Sequence, residues 1–218
     1  MFVSLEMTEI EVVKRVLCGR SRVDSRRLRS GNYNEDHIRA IEDEVNNVAG
    51  LPIAVWAPHS ATLSQIRAMA KQAKVTGGLS LLIIDYIGLI RPDDHRLPRH
   101  EQVARISRGL KGLAKELQIP ILTLCQLGRE AESDPPKLSH LRDSGAIEQD
   151  ADIVLLLHRI RGQSDAQLII AKHRHGEVGQ LPLKWNRARM AYEDASPEAR
   201  FDGSSQQHFD LQGEGSSF

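Results

Sequence analysis

The chain of 218 residues contains only two cysteines, Cys18 and Cys125, and neither has another metal-ligand residue at a useful spacing. Two isolated cysteines exclude a disulfide-stapled secreted fold and are typical of proteins in the reducing cytosol. No apolar run approaches the roughly 20 residues that a transmembrane helix needs. The first residues also lack the basic stretch and long apolar core of a signal peptide. We therefore expect a cytoplasmic protein.

Net charge is also absent, because 29 Lys and Arg residues balance 29 Asp and Glu residues. This balance argues against a generic basic protein that coats nucleic acid, although a local basic site in a narrow channel is compatible with it. The 9 histidines are scattered and predict no metal site. A hydrophobic content of 40% is ordinary for a globular domain.

Strand-like and helix-like segments alternate along the chain. Thr8 with Glu11, and Thr62 with Gln65, form capping boxes ahead of apolar residues at helical spacing. The run SLLIIDY is apolar almost throughout, which is typical of a strand buried on both faces of a parallel sheet. Residues 99–117 place their apolar side chains on one helical stripe. This order predicts an α/β fold with a mostly parallel sheet and right-handed crossovers.

The segment FVSL predicts a strand at the very start of the chain, and no turn precedes it. We expect from this abrupt start that the chain begins within a fold. Gly19 is expected to end the first helix, and LPIAVW, residues 51–56, predicts a second strand.

The carboxyl-terminal part has a different character. QLIIAKH, a glycine turn at 176–179 and QLPLKW predict a hairpin, with a further strand near residues 190–192. We expect these antiparallel strands at one edge of the sheet. From Asp194 onward Ser, Gly and Gln dominate, which predicts a disordered tail. One domain is therefore expected over residues 1–193 and a tail over residues 194–218.

Ligands of such sheets bind at the carboxyl ends of the strands, so polar residues at predicted strand ends are candidates. Asp85 ends the most apolar strand, where it could hold Mg²⁺ through water beside a nucleotide phosphate or merely cap the next turn. Glu6 could polarise an attacking water, or serve as an acid that the macrodipole favours at a helix start. Gln126 could sense a phosphate oxygen, or be a solvated strand end.

Positive charge marks two further candidates. Arg142 lies in HLRDSGAIEQDAD, where Ser-Gly allows close backbone approach and the arginine can reach a DNA phosphate. The alternative is surface charge in a loop before a helix. Lys172 and Arg174 alternate on a strand and therefore share a face. This pair could stabilise the charge of a transferring phosphate, as an arginine finger does, or protect an exposed edge strand.

In this order the segments resemble the C-terminal motor domain of DnaB-type replicative helicases over residues 2–194. The matching blocks are FVSLEM, SLLIIDYIGLI, ISRGLKGLAKEL, ILTLCQL, LRDSGAIEQDADIVLLLHR and IIAKHRHGEVG. LRDSGAIEQDAD after a strand ending in Gln is especially specific, and it disfavours a sister RecA-like ATPase that acts on recombination or clock proteins. The chain departs from the family at Gly88 and His173, where Gln is usual, and at Cys125, where Ser is usual.

The resemblance implies a RecA-like P-loop NTPase core that uses ATP and Mg²⁺. By that resemblance Glu6 is the glutamate that activates water, and Asp85 is the Walker B aspartate on Mg²⁺. Gln126 matches the glutamine that senses the γ-phosphate and couples it to the DNA loops. Lys172 and Arg174 match the pair that reaches into the ATP site of the next subunit.

The resemblance also implies partners. Arg142, Asp143 and Gly145 match the loop that holds the backbone of single-stranded DNA inside a homo-hexameric ring. The implied function is ATP-dependent unwinding of duplex DNA at the replication fork. Primase and other replisome proteins would bind through the family's N-terminal domain, which this sequence does not include.

The family's phosphate-binding loop, G-x-x-x-x-G-K-[ST], does not occur in this sequence. In the RecA-like sheet the strand before that loop is interior. Its absence predicts two strands with unpaired backbone groups beside a gap, at ~1–3 kcal/mol for each buried unpaired group. We therefore expect the chain to be inactive alone. The alternative function is a non-catalytic single-stranded-DNA-binding or ring-assembly module derived from the helicase.

Overall fold

The computed structural model describes residues 1–128, 135–141 and 145–195. The strands are β1 (Phe2–Ser4), β2 (Val55–Trp56), β3 (Leu82–Asp85), β4 (Ile121–Thr123), β5 (Ile153–His158), β6 (Asp165–His173), β7 (Gly179–Asn186) and β8 (Ala191–Asp194). The helices are α1 (Glu9–Ser21), α2 (Ser25–Ser30), α3 (Glu35–Ala49), α4 (Leu63–Gly77), α5 (Arg99–Leu117) and α6 (Gly145–Asp150). The expected tail lies outside the described residues from position 196 onward. None of the helices described is long and apolar enough to cross a membrane.

Two four-stranded sheets form the fold. The first is parallel and has the order β2-β1-β3-β4, and the second is antiparallel and has the order β5-β6-β7-β8. The α/β class is therefore confirmed, with flanking helices and antiparallel strands at the carboxyl-terminal end. The antiparallel strands form a sheet of their own, and β5, whose apolar sequence resembles a parallel strand, pairs with β6 in that sheet.

Local sequence signals account for most helix starts. The capping boxes at Thr8 and Thr62 are both present. The expected helix end at Gly19 is wrong, because α1 continues to Ser21 and ends at Arg22, whose φ is 60°. One glycine inside a helix costs only about 1 kcal/mol, which the surrounding turns can offset.

The strand expected over residues 51–56 is shorter than its sequence suggests. Only Val55 and Trp56 pair with β1. Pro52 has no N–H to donate to a neighbouring strand. Ile53 N donates to Leu51 O at 2.7 Å within a local turn. The apolar residues before Val55 therefore belong to the connection from α3.

One face of the parallel sheet carries the main core. Val3, Leu82 and Ile84 are fully buried there, beneath α4 and α5. On the other face of the sheet, Leu122 keeps 47% of its surface exposed and Ile83 is only half-buried. The expectation that β3 is buried on both faces is therefore wrong for the described part of the chain, in which one face only is packed.

The strands β4 and β5 each end a sheet, so each has one edge without a strand partner among the described residues. The two strands are linked beyond their ends, where Gly128 N donates to His140 O at 2.8 Å and Leu127 forms a bridge with Leu141. A cavity of about 400 Å³ lies where α5 meets the starts of both strands. The cavity is lined by Lys111, Ala114, Lys115, Gln118, Ile119, Pro120 and Asp152. The expectation of two strands with unpaired backbone groups beside a gap stays a prediction, since β2 and β8 are outer strands of these sheets as well.

A matched pair of leucine substitutions tests the one-sided packing. Leu82→Ala removes a fully buried side chain and should lower the free energy of unfolding by about 2–5 kcal/mol. Leu122→Ala on the neighbouring strand removes a half-exposed side chain and should cost less than about 1.5 kcal/mol. Urea denaturation followed by circular dichroism measures both values. Equal losses would mean that the outer face is also packed.

Candidate functional site

The carboxyl ends of three neighbouring parallel strands bring the predicted strand-end residues to one edge of the sheet. Ser4 on β1 lies opposite Asp85 on β3, and Leu5 N donates to Asp85 O at 2.8 Å. Glu6 follows two residues after Ser4. Gln126 follows β4 at the same edge, since Leu124 N donates to Ile84 O at 3.0 Å. This edge is where parallel sheets bind their ligands.

A tight turn after β1 presents Glu6 to solvent. The Ser4 hydroxyl is buried, donates to Met7 O at 2.7 Å and accepts from Met7 N at 3.0 Å. The capping box of α1 uses Glu11, which receives the Thr8 N–H at 2.9 Å, and this bond holds the pKa of the Glu11 carboxyl below its ordinary value. Glu6 precedes the cap and takes no part in it. Glu6 is therefore not an acidic residue of the first turn of α1, which was the alternative interpretation.

Asp85 is half-buried at the last position of β3. The turn that follows, Ile87–Leu89, begins after Tyr86 and has no side-chain cap. The alternative role of Asp85 as a turn cap is therefore not what the geometry shows. Gly88 is one of the positions where the chain departs from the family pattern. A Cβ at this position would lie 2.7 Å from Cε2 of Tyr86, so glycine leaves room for the tyrosine ring.

Gln126 is exposed and lies next to the link between the two sheets. Leu127, the following residue, forms the bridge with Leu141, and Gly128 N bonds to His140 O at 2.8 Å. In the sequence, Leu141 directly precedes the predicted DNA-binding residues. The end of β4 is thus physically tied to the segment that leads into them.

Of the predicted DNA-binding residues, Arg142 and Asp143 lie outside the described part of the chain. Gly145 is the exposed first residue of α6, and a Cβ placed there would meet nothing within 4 Å. Packing within the described chain therefore does not require glycine at this position. The open space is compatible with close approach of another backbone.

The two predicted cations do not both lie on a strand, because Lys172 is in β6 whereas Arg174 follows its last residue, His173, in a turn; their side chains still reach the same group of carbonyl oxygens. Lys172 Nζ donates to Glu148 O at 2.5 Å and lies 3.4 Å from Gln149 O. Arg174 Nη2 donates to the same Gln149 O at 3.2 Å. The strand β6 lies between β5 and β7, but β7 pairs only with residues 165–170, so Lys172 has a strand partner in β5 alone and the alternative of a charged strand edge stays open. Both side chains approach the carboxyl end of α6.

Sequence reasoning missed a polar network that joins α5 to the same end of α6. Ser107 is buried in α5 and donates to Asp150 at 2.7 Å. One turn later Lys111 pairs with Asp152, which also pairs with Arg174 Nη1 at 3.2 Å. The hydrogen bond from Lys111, with the charge of Arg174 beside it, holds the pKa of the Asp152 carboxyl below its ordinary value. The available signal was the pair Ser107 and Lys111, spaced as neighbours on one helix face.

The carboxylates at the sheet edge suit Mg²⁺, which prefers hard oxygen ligands and is often held by one carboxylate, water and substrate phosphates. Asp85 can supply that carboxylate. Among the described residues no group of three or more His, Cys, Asp or Glu could hold a metal ion by itself. The 218 residues also lack the glycine-rich loop and lysine that cradle nucleotide phosphates. Mg²⁺ therefore fits this edge, whereas the chain alone has no phosphate cradle for ATP.

The family model described as the DnaB-like helicase C terminal domain matches residues 1–194. The chain belongs to this DnaB-like helicase family. The replicative DNA helicase DnaB of Treponema pallidum is 38% identical over 196 residues, which are 90% of this chain and 45% of that protein. The replicative DNA helicase DnaC of Bacillus subtilis is 34% identical over 210 residues, covering 91% of this chain and 46% of that protein. The chain thus spans less than half the length of these curated relatives.

Solved structures agree with the DnaB-like assignment. A structure described as a DnaB-like replicative helicase and its interactions with primase has a TM-score of 0.83 at 27% identity, over 89% of this chain and 50% of that chain. A second structure, an ATPase domain, has a TM-score of 0.83 at 28% identity and is covered to 74%, again by 89% of this chain. The RecA-like helicase core expected from the sequence is confirmed.

The Asp152 network predicts a titration. Because the folded-state pKa is lowered, the ionised Asp152 stabilises the fold above its unfolded pKa, and this stabilisation is lost as the pH falls through the folded pKa. Carboxyl-detected NMR should find the Asp152 midpoint below the ordinary aspartate value and should find it raised by Lys111→Met. Lys115→Met, one turn further along α5, is the control and should leave the midpoint unchanged. An Asp152 midpoint insensitive to Lys111→Met would rule out the pairing.

Proposed function

We propose that this chain is a motor domain of a replicative DNA helicase, which unwinds duplex DNA by ATP-driven translocation on single-stranded DNA as a homo-hexamer in the cytoplasm. The observation that carries the proposal is the convergence of Glu6, Asp85 and Gln126 at the carboxyl ends of three adjacent parallel strands. Membership of the DnaB-like helicase family supports the same function.

Each residue at this edge has a proposed role. Glu6, exposed on its turn, polarises the attacking water. Asp85 would hold Mg²⁺, and the ion when bound would supply positive charge that neutralises the transferred phosphate. Gln126 contacts a γ-phosphate oxygen and passes the nucleotide state to the neighbouring segment, since Leu127 next to it is bridged to Leu141. The sheet edge would thereby couple hydrolysis to DNA movement.

The DNA and ring contacts lie further along the chain. Arg142, Asp143 and Gly145 bind the sugar–phosphate backbone, which carries no base identity and so permits translocation on any sequence. Lys172 and Arg174 act on the nucleotide of the next subunit in the ring. Primase is a proposed partner because a matched structure is described with its interactions with primase.

A second candidate function concerns these 218 residues taken alone, which contain no phosphate-binding loop. By themselves they would act as a non-catalytic module that binds single-stranded DNA or assembles into the ring. Both functions use the same DNA-binding residues. They differ in whether the chain turns over ATP.

An ATPase assay separates the two candidates. We expect the 218-residue chain with oligo(dT) and Mg²⁺ to show no turnover above the blank, because nothing in it cradles the β- and γ-phosphates. Glu6→Gln is the test variant, and Glu9→Gln, in the exposed first turn of α1, is its control. Turnover that Glu6→Gln abolishes and Glu9→Gln preserves would overturn the expectation.

Binding of single-stranded DNA tests the loop assignment. Arg142→Ala should weaken binding to fluorescent oligo(dT) and reduce the slope of log K against log salt by about 0.7, the value for one lost phosphate contact on a single strand. Arg39→Ala, which removes an exposed arginine paired with Glu35 on α3, is the control. If Arg142→Ala left both affinity and slope unchanged, the assignment of the DNA-binding loop would be wrong.

A further inference from the structure

The direction of the Glu6 side chain depends on the turn that carries it. Glu6 is exposed, and its carboxylate forms no hydrogen bond or ion pair with the part of the chain that the structure describes. No side-chain contact from those residues therefore aims this carboxylate. The backbone of residues 4–7 decides where it points.

This turn is closed by a single hydroxyl group. The Ser4 hydroxyl donates to Met7 O at 2.7 Å, and Met7 N donates back to Ser4 Oγ at 3.0 Å. Within the described chain no backbone-to-backbone hydrogen bond joins residues 4–7 to one another. The turn is therefore held by the Ser4 side chain, through the local contact with nearby backbone that serine commonly makes.

The start of the same turn is tied to the end of β3. Ser4 lies opposite Asp85 in the parallel pairing, and Leu5 N donates to Asp85 O at 2.8 Å. The backbone on one side of Glu6 is thus fixed relative to Asp85 by the sheet. The Ser4 hydroxyl fixes the backbone on the other side of Glu6, because it holds both polar groups of Met7.

Ser4 is a polar residue in an apolar setting. Ser4, with 1% of its surface exposed, and Ser107 are the buried polar residues of the described chain. Ser107 is accounted for by its hydrogen bond to Asp150 between two helices. A buried hydroxyl costs free energy unless it is hydrogen-bonded, and the bonds of Ser4 go to the turn. A hydroxyl suits this position because it can both donate and accept.

We propose that Ser4 is a positioning residue for Glu6. Its hydroxyl fixes the turn, and the turn keeps the Glu6 carboxylate at a constant place relative to Asp85. Ser4 itself does not reach the reacting groups, since its hydroxyl is buried and bonded to Met7. The proposal rests on the proposed role of Glu6, because a group that polarises water must be held within hydrogen-bond reach of that water.

Amide hydrogen exchange in the 218-residue chain, followed by NMR, tests the proposal. Ser4→Ala removes both bonds, so the Met7 amide should exchange at least about 10-fold faster than in the wild type. The Leu5 amide, which donates to Asp85 O, should keep its protection. Ser4→Cys fills a similar space with a weak donor and acceptor and should behave as Ser4→Ala does. Ser4→Thr keeps the hydroxyl and should retain the protection of Met7.

The order parameter of the Glu6 amide, from nitrogen relaxation, gives a second readout. It should fall from about 0.85, the value of rigid backbone, to below about 0.6 in Ser4→Ala and Ser4→Cys. Ser107→Ala is the matched control, because it also removes a buried, hydrogen-bonded hydroxyl. This control should lower the midpoint of urea denaturation and leave the order of Glu6 unchanged.

A purely structural role for Ser4 would give the result of the Ser107→Ala control. A Met7 amide that stays protected in Ser4→Ala, or a Glu6 amide that stays ordered, would therefore overturn the positioning role. Equal losses of protection at Leu5 and Met7 would also overturn it, because the strand pairing would then have failed rather than the turn. These measurements need neither ATP nor DNA, so their failure is distinct from a failure of the proposed function in the ATPase and DNA-binding assays.

Discussion

Parallel backbone pairing between β1 and β3 is the constraint on which the candidate site depends. Ser4 lies opposite Asp85, so the turn after β1 and the end of β3 reach the same edge of the sheet. A shift of this register by one residue would turn Asp85 to the opposite face of the sheet, where Ile84 now packs against α4 and α5. The buried face therefore holds the register, and the register brings Glu6 and Asp85 to one edge.

The same reasoning explains which parts of the fold could be predicted from the sequence. The stripe of residues 99–117 predicts α5 with the bounds that the structure has, because many apolar residues repeat at helical spacing. The caps at Thr8 and Thr62 were predictable because capping is local chemistry. The strand predicted over residues 51–56 is longer than the observed β2, because Pro52 lacks the N–H that pairing with a neighbouring strand would need. Periodicity alone could not tell that β5 pairs with β6, because an apolar run does not reveal the direction of its neighbour.

For the site, sequence order identified residues at strand ends but not the contacts that hold them. The positions of Glu6, Asp85 and Gln126 follow from a parallel sheet, and the structure brings them to one edge. The partners of Lys172 could not be predicted, because they are backbone carbonyls of a helix 23 and 24 residues earlier in the chain. Backbone acceptors leave no mark in the side-chain sequence. The network around Asp152 likewise depends on how α5 packs against α6.

The cation contacts also bear on how a ring of such chains could work. A lysine ammonium has three N–H donors, and Lys172 directs them at Glu148 O and Gln149 O, so a phosphate from a neighbouring nucleotide would compete for the same group. Arg174 has five donors and can keep its bond to Asp152 while it offers others. Such competition would be reciprocal: a bound phosphate would weaken the hydrogen bonds from Lys172 to α6, and those hydrogen bonds would weaken the binding of the phosphate by the same factor. For its proposed role at the nucleotide of a neighbouring subunit, the Lys172 ammonium group would have to leave these carbonyl oxygens or share its donors with them.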